Sequence, residues 1–199
     1  MAETTIIDLL RHGEPEGGSR YRGHSIDDPL TDKGWRQMWR GVGSADSWDM
    51  ILSSPLRRCS EFAEALGERR EIPVVINEQL REIGFGDWEG QTKQQLRQER
   101  LDEFNAFYAD PLHNTPPGAE PLGDFFQRIS ALVDLLGAHH AGRRLLLVTH
   151  AGVTRAALTH AIGADVACMY RLSITNGGLS RVRFAAGRGQ LELLNGRLD

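Results

Sequence analysis

The sequence predicts an α/β protein: a three-layer α/β/α sandwich around a mostly parallel central sheet with an antiparallel edge strand. Three observations predict it. Short apolar runs of strand length alternate with stretches of helical periodicity along the chain. One run, Leu145-Leu146-Leu147-Val148-Thr149, is almost wholly apolar, as expected of a strand buried on both faces. Two of the runs lead directly into histidine and small residues, Arg11-His12-Gly13 and His150-Ala151-Gly152. Those motifs fall at the carboxyl ends of strands, where open α/β sheets bind their ligands.

The elements follow in chain order. Ile6 to Leu10 reads as a first, central strand, and Gly13 after it allows a sharp turn. Pro29-Leu30-Thr31-Asp32-Lys33-Gly34 marks a helix start with Thr31 as N-cap, continued by Trp35, Met38 and Val42. Asp49 to Ser53 is a second strand. Ser54-Pro55 opens the next helix, serine as cap and proline at its first position, with Cys59, Phe62, Ala63 and Leu66 at helical spacing. Pro73 to Ile76 is a short third strand. Glu89 to Tyr108 is polar and helix-prone, with Leu96, Leu101, Phe104 and Phe107 as its apolar face, and Pro111 to Pro121 is a loop. Phe125, Ile129, Leu132, Val133 and Leu136 trace a further helix, and Gly152 to Ile162 the last one. Leu179 to Phe184 and Gln190 to Leu194 are expected edge strands.

At 199 residues the chain suits one well-buried core rather than two. A formal net charge of −4 argues against a general nucleic-acid binder, yet a few arginines in one cleft can still attract an anionic substrate. No basic segment followed by an apolar stretch opens the chain and no run is long enough to span a bilayer, so neither a secretory signal nor a membrane partner is expected. Cys59 and Cys168 lie far apart without metal-ligand spacing, which fits reduced thiols in a cytoplasmic protein.

A histidine at a strand end can act as base, metal ligand or nucleophile, and an adjacent arginine biases the choice toward phosphate chemistry. His12 and His150, at matching strand ends, can lie side by side in one cleft. Ser53-Ser54-Pro55-Leu56-Arg57-Arg58 puts arginines on the first turn of a helix, where backbone N–H groups favour anions. Leu80-Arg81-Glu82, running on to Phe85-Gly86-Asp87-Trp88-Glu89-Gly90, adds carboxylates. Two histidines, two or more arginines and a carboxylate make a phosphoryl-transfer set.

In this order, Arg-His-Gly, Ser-Pro-Leu-x-Arg, Leu-x-Glu with Phe-Gly-x-Trp-Glu-Gly, and Thr-His-Ala-Gly-Val, the chain resembles the histidine phosphatase superfamily, which includes the cofactor-dependent phosphoglycerate mutases. Arg22-Gly23-His24, Pro29-Leu30-Thr31 and Pro117-Gly118-Ala119-Glu120 most resemble its α-ribazole phosphatase branch, which implies a link to cobalamin biosynthesis. The resemblance implies a single phosphoglycerate mutase-like domain over 1–199, with a small helical and loop insertion at about 90–122 over the active site. It implies a phosphomonoester hydrolase, acting on a small-molecule substrate as monomer or homodimer, with no metal and no cofactor. His12 would be the nucleophile that forms a phosphohistidine. Arg11 and Arg58 would grip the phosphate oxygens, with Gly13 and Ala151 passing their backbone close to it. His150 would stabilise the transition-state charge, and Glu82 would be the proton donor. Tyr21, Arg22, Gly23 and His24 are candidates for meeting the leaving group.

Departures from the family pattern stand close to the first motif. Pro15 replaces a usual threonine and Gly18 a usual phosphate-binding asparagine, whose contact Ser19 or Arg20 could supply. Ala151 stands where a glycine is common. Three rival activities remain: a phosphoglycerate mutase, a broad-specificity sugar or metabolite phosphatase, and a non-catalytic phospho-ligand module. The mutase reading is weakened because Lys93, Arg97 and Arg100 are the only cations between Gln91 and Tyr108. The module has no need to keep His12, Arg11, Arg58, Glu82 and His150 together.

Overall fold

The structure, a computed structural model, describes residues 3–185 and 187–198. Six strands form one sheet: β1 (Thr5–Arg11), β2 (Met50–Ser53), β3 (Val74–Ile76), β4 (Arg144–Thr149), β5 (Leu179–Ala185) and β6 (Arg188–Gly196), in the order β3-β2-β4-β1-β5-β6. The first four in that order run parallel, and β5 pairs antiparallel with both β1 and β6. The expected mixed sheet is therefore present. Of the two strands placed at an edge, only β6 lies there, because β5 is closed in by β1 on one side and β6 on the other.

Side-chain alternation divides the core. Ile7 and Leu9 of β1, with Leu145 and Leu147 of β4, pack under α5 (Leu122–His139) and α6 (Ala151–Ala161). Leu10, Leu146 and Val148 face the other way, onto α1 (Asp32–Val42) and α2 (Arg57–Arg70). Both faces of β1 and β4 are thus covered, and each buried aliphatic side chain contributes about 1.5–3 kcal/mol. Thr31 caps α1 by accepting from the Gly34 N–H at 2.9 Å.

Two local expectations need correction. α2 begins at Arg57, not at Ser54-Pro55: its N-cap, Leu56, offers no side-chain cap, and the Asp27 carboxylate accepts from the Arg57 N–H at 2.7 Å instead. The Glu89 to Tyr108 stretch is two short helices, α3 (Lys93–Glu99) and α4 (Leu101–Ala109), broken at Arg100. Leu96 of the first and Phe104 and Phe107 of the second cluster with the fully buried Trp88.

Candidate active site

β1 and β4 are parallel neighbours, with Arg11 opposite Thr149. The chain leaves β1 toward the α1/α2 face and leaves β4 toward the α5/α6 face, so a crevice opens between the two strand ends. The register sets His12 beside His150, their ring centroids 5.2 Å apart, and the His12 N–H donates to the Thr149 carbonyl at 2.8 Å. The crevice is the floor of a cavity of about 470 Å³.

His12 is 6% exposed, and its Nδ1 lies 2.7 Å from the Gly13 carbonyl oxygen. A carbonyl only accepts, so Nδ1 carries the proton and the lone pair is on Nε2. Burial, together with Arg11 and Arg58, holds this histidine well below its ordinary range, so the ring is neutral. Gly13 is required by packing rather than by an unusual φ: a Cβ there would sit 2.1 Å from the Gly34 carbonyl oxygen at the start of α1.

Arg11 donates from Nη1 to the Ile174 carbonyl at 2.6 Å, while its buried Nε has no partner among the described residues. Burial presses its guanidinium down to about 10, helped by Arg155, Arg22 and Arg58 against the pull of Glu82. Arg58, 1% exposed on the first turn of α2, donates to the carbonyls of Ile26 at 2.9 Å and Gly23 at 2.8 Å. Its Nε reaches His150 Nδ1 at 3.3 Å. His150 itself is fully buried behind the cavity wall, held neutral by burial and by Arg58, His12 and Arg11. Glu82, 9% exposed, accepts the Ile83 N–H on Oε1 at 3.0 Å and the Gly152 N–H, on the first turn of α6, on Oε2 at 3.1 Å. A Cβ at Gly152 would stand 2.3 Å from Glu82 Oε1, so this carboxylate needs glycine there.

His12, Arg11, Arg58, Glu82 and Ala151 all line the cavity; Gly13 and His150 lie behind its wall. Of the four loop candidates, Tyr21, Arg22 and Gly23 line it and His24 does not: exposed, its Nδ1 lies 3.2 Å from the Glu82 carbonyl oxygen. Arg22 is consumed internally, on the carbonyls of Glu16 and Gly18 and on Asp28, which Arg20 also binds. Ser19 and Arg20 line the cavity where Gly18 supplies no side chain. Among the described residues, no cluster of three His, Cys, Asp or Glu side chains is placed to hold a metal ion.

Sequence reasoning missed the far wall. Arg155, Tyr170 and Tyr108 line it, the Tyr108 hydroxyl 2.7 Å from that of Tyr21 and the Arg155 guanidinium 5.6 Å from the Tyr170 ring. Arg155 could have been found, standing four residues after Ala151 and so on the same helical face. Phe85 lines the cavity too, whereas Trp88 only packs.

A crevice of this kind, with a neutral buried histidine among arginines at a sheet switch point, defines a phosphate-handling α/β enzyme. The chain belongs to the histidine phosphatase superfamily (branch 1), whose model matches residues 7–197, and its reaction is the hydrolysis of phosphomonoesters. It is 30% identical over 197 residues to the adenosylcobalamin/α-ribazole phosphatase of Escherichia coli strain K12, covering 95% of each chain. It is also similar to the crystal structure of the α-ribazole phosphatase from Shigella flexneri, with 29% identity, a TM-score of 0.83 and 96% of both chains covered. The mycobacterial glucosyl-3-phosphoglycerate phosphatase in complex with VO3 matches at 28% identity and a TM-score of 0.85, over 96% of this chain and 98% of that one. Among the described residues no helix is long and apolar enough to cross a membrane.

Proposed function

We propose that the protein hydrolyses its ester in two steps through a phosphohistidine on His12, with α-ribazole 5′-phosphate as substrate. The observation that carries the mechanism is the His12 ring, its Nδ1–H tied to the Gly13 carbonyl and its Nε2 lone pair free beside Arg11 and Arg58. In the first step Nε2 forms the P–N bond as the P–O bond to the alcohol breaks, and the Glu82 carboxyl gives its proton to the leaving oxygen. In the second, Glu82 takes a proton from a water that attacks phosphorus, the P–N bond breaks, and its electron pair returns to Nε2. Arg11 and Arg58 hold the equatorial oxygens by paired, charge-assisted bonds, and His150 acts on the same charge from behind Arg58.

The α-ribazole reading rests on the names of the relatives in Escherichia coli and Shigella flexneri and on the aromatic wall of Tyr21, Phe85, Tyr108 and Tyr170, which suits a ribose bearing an aromatic base. Phosphatase is favoured over mutase because Arg97 lies over the Phe104 ring and Arg100 pairs with Glu103, leaving Lys93 alone of the three cations in the cavity. We further read residues 1–199 as one domain in which the segment at about 90–122 covers the site, as Lys93 and Tyr108 suggest. Its two free cysteines fit a cytoplasmic enzyme. The test is to mix the protein with a ³²P-labelled phosphomonoester, quench it, and screen a panel including α-ribazole 5′-phosphate and 3-phosphoglycerate. An acid-labile adduct on wild type and none on His12→Asn is expected; no adduct with any ester sinks the mechanism. A better ester than α-ribazole 5′-phosphate sinks the substrate assignment, and dependence on a bisphosphoglycerate would restore the mutase.

A further inference from the structure

Ser54, the residue after β2, is fully buried, and its Oγ lies 2.7 Å from His150 Nε2. It is not the helix cap its position suggested, since α2 starts three residues later. The other ring nitrogen, Nδ1, faces Arg58 Nε at 3.3 Å. A guanidinium has only donors, so Nδ1 must carry the lone pair, and a neutral ring then carries its proton on Nε2. That proton needs an acceptor in a buried place, and among the described residues the Ser54 oxygen is the one within reach. The same oxygen accepts from the Leu56 N–H at 3.3 Å, which sets its lone pairs. The sulfur of Cys59 lies 3.7 and 3.9 Å from the two ring nitrogens and is too weak an acceptor to take over, being a neutral thiol whose ionisation burial pushes up.

We propose that Ser54 is a positioning residue of the phosphate site: by holding His150 as the Nε2–H tautomer, it gives Arg58 the acceptor that orients its guanidinium. Three acceptors fix Arg58, namely His150 Nδ1, the Ile26 carbonyl and the Gly23 carbonyl, leaving two N–H bonds for the cavity. Two of those acceptors come from one surface loop, so His150 is the one that ties Arg58 to the sheet. With the opposite tautomer, an N–H would face the Arg58 Nε–H and push the guanidinium away. This inference rests on Arg58 gripping phosphate, as proposed above.

The test compares Ser54→Ala and Ser54→Thr with wild type, using p-nitrophenyl phosphate turnover, inorganic phosphate affinity and ¹⁵N NMR of histidine-labelled protein. Wild type should show His150 with Nε2 protonated and Nδ1 not. Ser54→Ala should lose that pattern, lower kcat/KM by about 10²-fold, the cost of a small misplacement, and weaken phosphate binding. Ser54→Thr, which keeps the hydroxyl, should restore the tautomer and most of the rate. A purely structural serine would change the rate without changing the tautomer. Wild-type His150 with its proton on Nδ1 overturns the proposal even if Ser54→Ala does not fold, as does a Ser54→Ala protein within twofold of wild type. A His12 adduct in either case leaves the mechanism standing, so the two failures are distinguishable.

Discussion

Two charged clusters sit three residues apart on β1, and they are built in opposite ways. Asp8, fully buried, accepts from Trp48 Nε1 at 2.8 Å, from Arg144 Nε at 3.1 Å and from Arg181 Nε at 2.7 Å. The two arginines reach it from β4 and β5, the strands on either side. Its bond to Asp8 raises Arg181 above the ordinary arginine range. Arg11, on the same strand, is pressed down by burial to about 10, and its Nε goes unmatched among the described residues. One cluster contains its own anion. The other gathers Arg11 and Arg58 about a neutral histidine, its carboxylate Glu82 being bound to the Ile83 and Gly152 N–H groups, and leaves the anion that the arginines grip to be supplied by the ligand. The same strand thus serves stability at its middle and binding at its end, and the missing counter-charge marks the functional half.

That contrast can be broken or sharpened by experiment. The largest effect should come from Arg58→Gln, which removes a preorganised cation: kcat/KM for an aryl phosphate is expected to fall by about 10²–10³-fold. Loss of less than tenfold would show that Arg58 is structural like the Asp8 arginines. Asp8→Asn should do the reverse, costing about 3 kcal/mol in urea unfolding while kcat stays at the wild-type value. The lower end of the range for breaking a buried pair applies because the Arg144 and Arg181 side chains are each 21% exposed and can reach water. A normal unfolding midpoint for that variant would mean that the cluster is not the anchor its geometry describes.

Supplying the missing anion should stabilise only the second cluster. Vanadate at a hundred times its Kd is expected to add about 2.7 kcal/mol to wild type and to Asp8→Asn alike. Arg58→Gln should gain clearly less at that same concentration, and an equal gain would place the anion elsewhere. The smallest effect is a slope with pH. His12 and His150 are held neutral when folded, so below their ordinary range near 6.5 the unfolded chain binds protons that the folded one refuses. Stability should therefore fall as pH drops below about 6.5, by up to about 1.4 kcal/mol per pH unit for each histidine. Urea titrations at pH 7.5, 6.5 and 5.5 would show it, with His12→Asn removing one histidine's share. A stability that rises toward acid would contradict the neutral rings.

How much of this was legible in the sequence differs between the two clusters. The phosphate half was readable because its residues are fixed by strand ends and backbone: His12 and His150 follow apolar runs, and Arg58 opens a helix. The Asp8 cluster was not, because Asp8 sits inside an apolar run and its partners, Arg144 and Arg181, look like ordinary strand-end and strand arginines until pairing brings them across. The far wall escaped for a related reason. Tyr21, Tyr108 and Tyr170 meet only when three separate segments close over the cavity, and no local pattern encodes that meeting. Ser54 was read as a cap because serine before proline usually is one, and the His150 ring nitrogen that its hydroxyl meets lies 96 residues away. The β5 error was of the same kind, since edge and interior strands differ in neighbours rather than in composition.

The position of β1 also governs the order in which the molecule can be assembled. Its two sheet neighbours are β4 and β5, and the arginines that meet Asp8 lie 136 and 173 residues downstream. The strand that leads into His12 is therefore made well before either of the strands it pairs with. Until β4 has been made, this apolar strand with a carboxylate at its centre has no sheet neighbour, so the closure that sets His12 beside His150 joins distant parts of the chain and comes late.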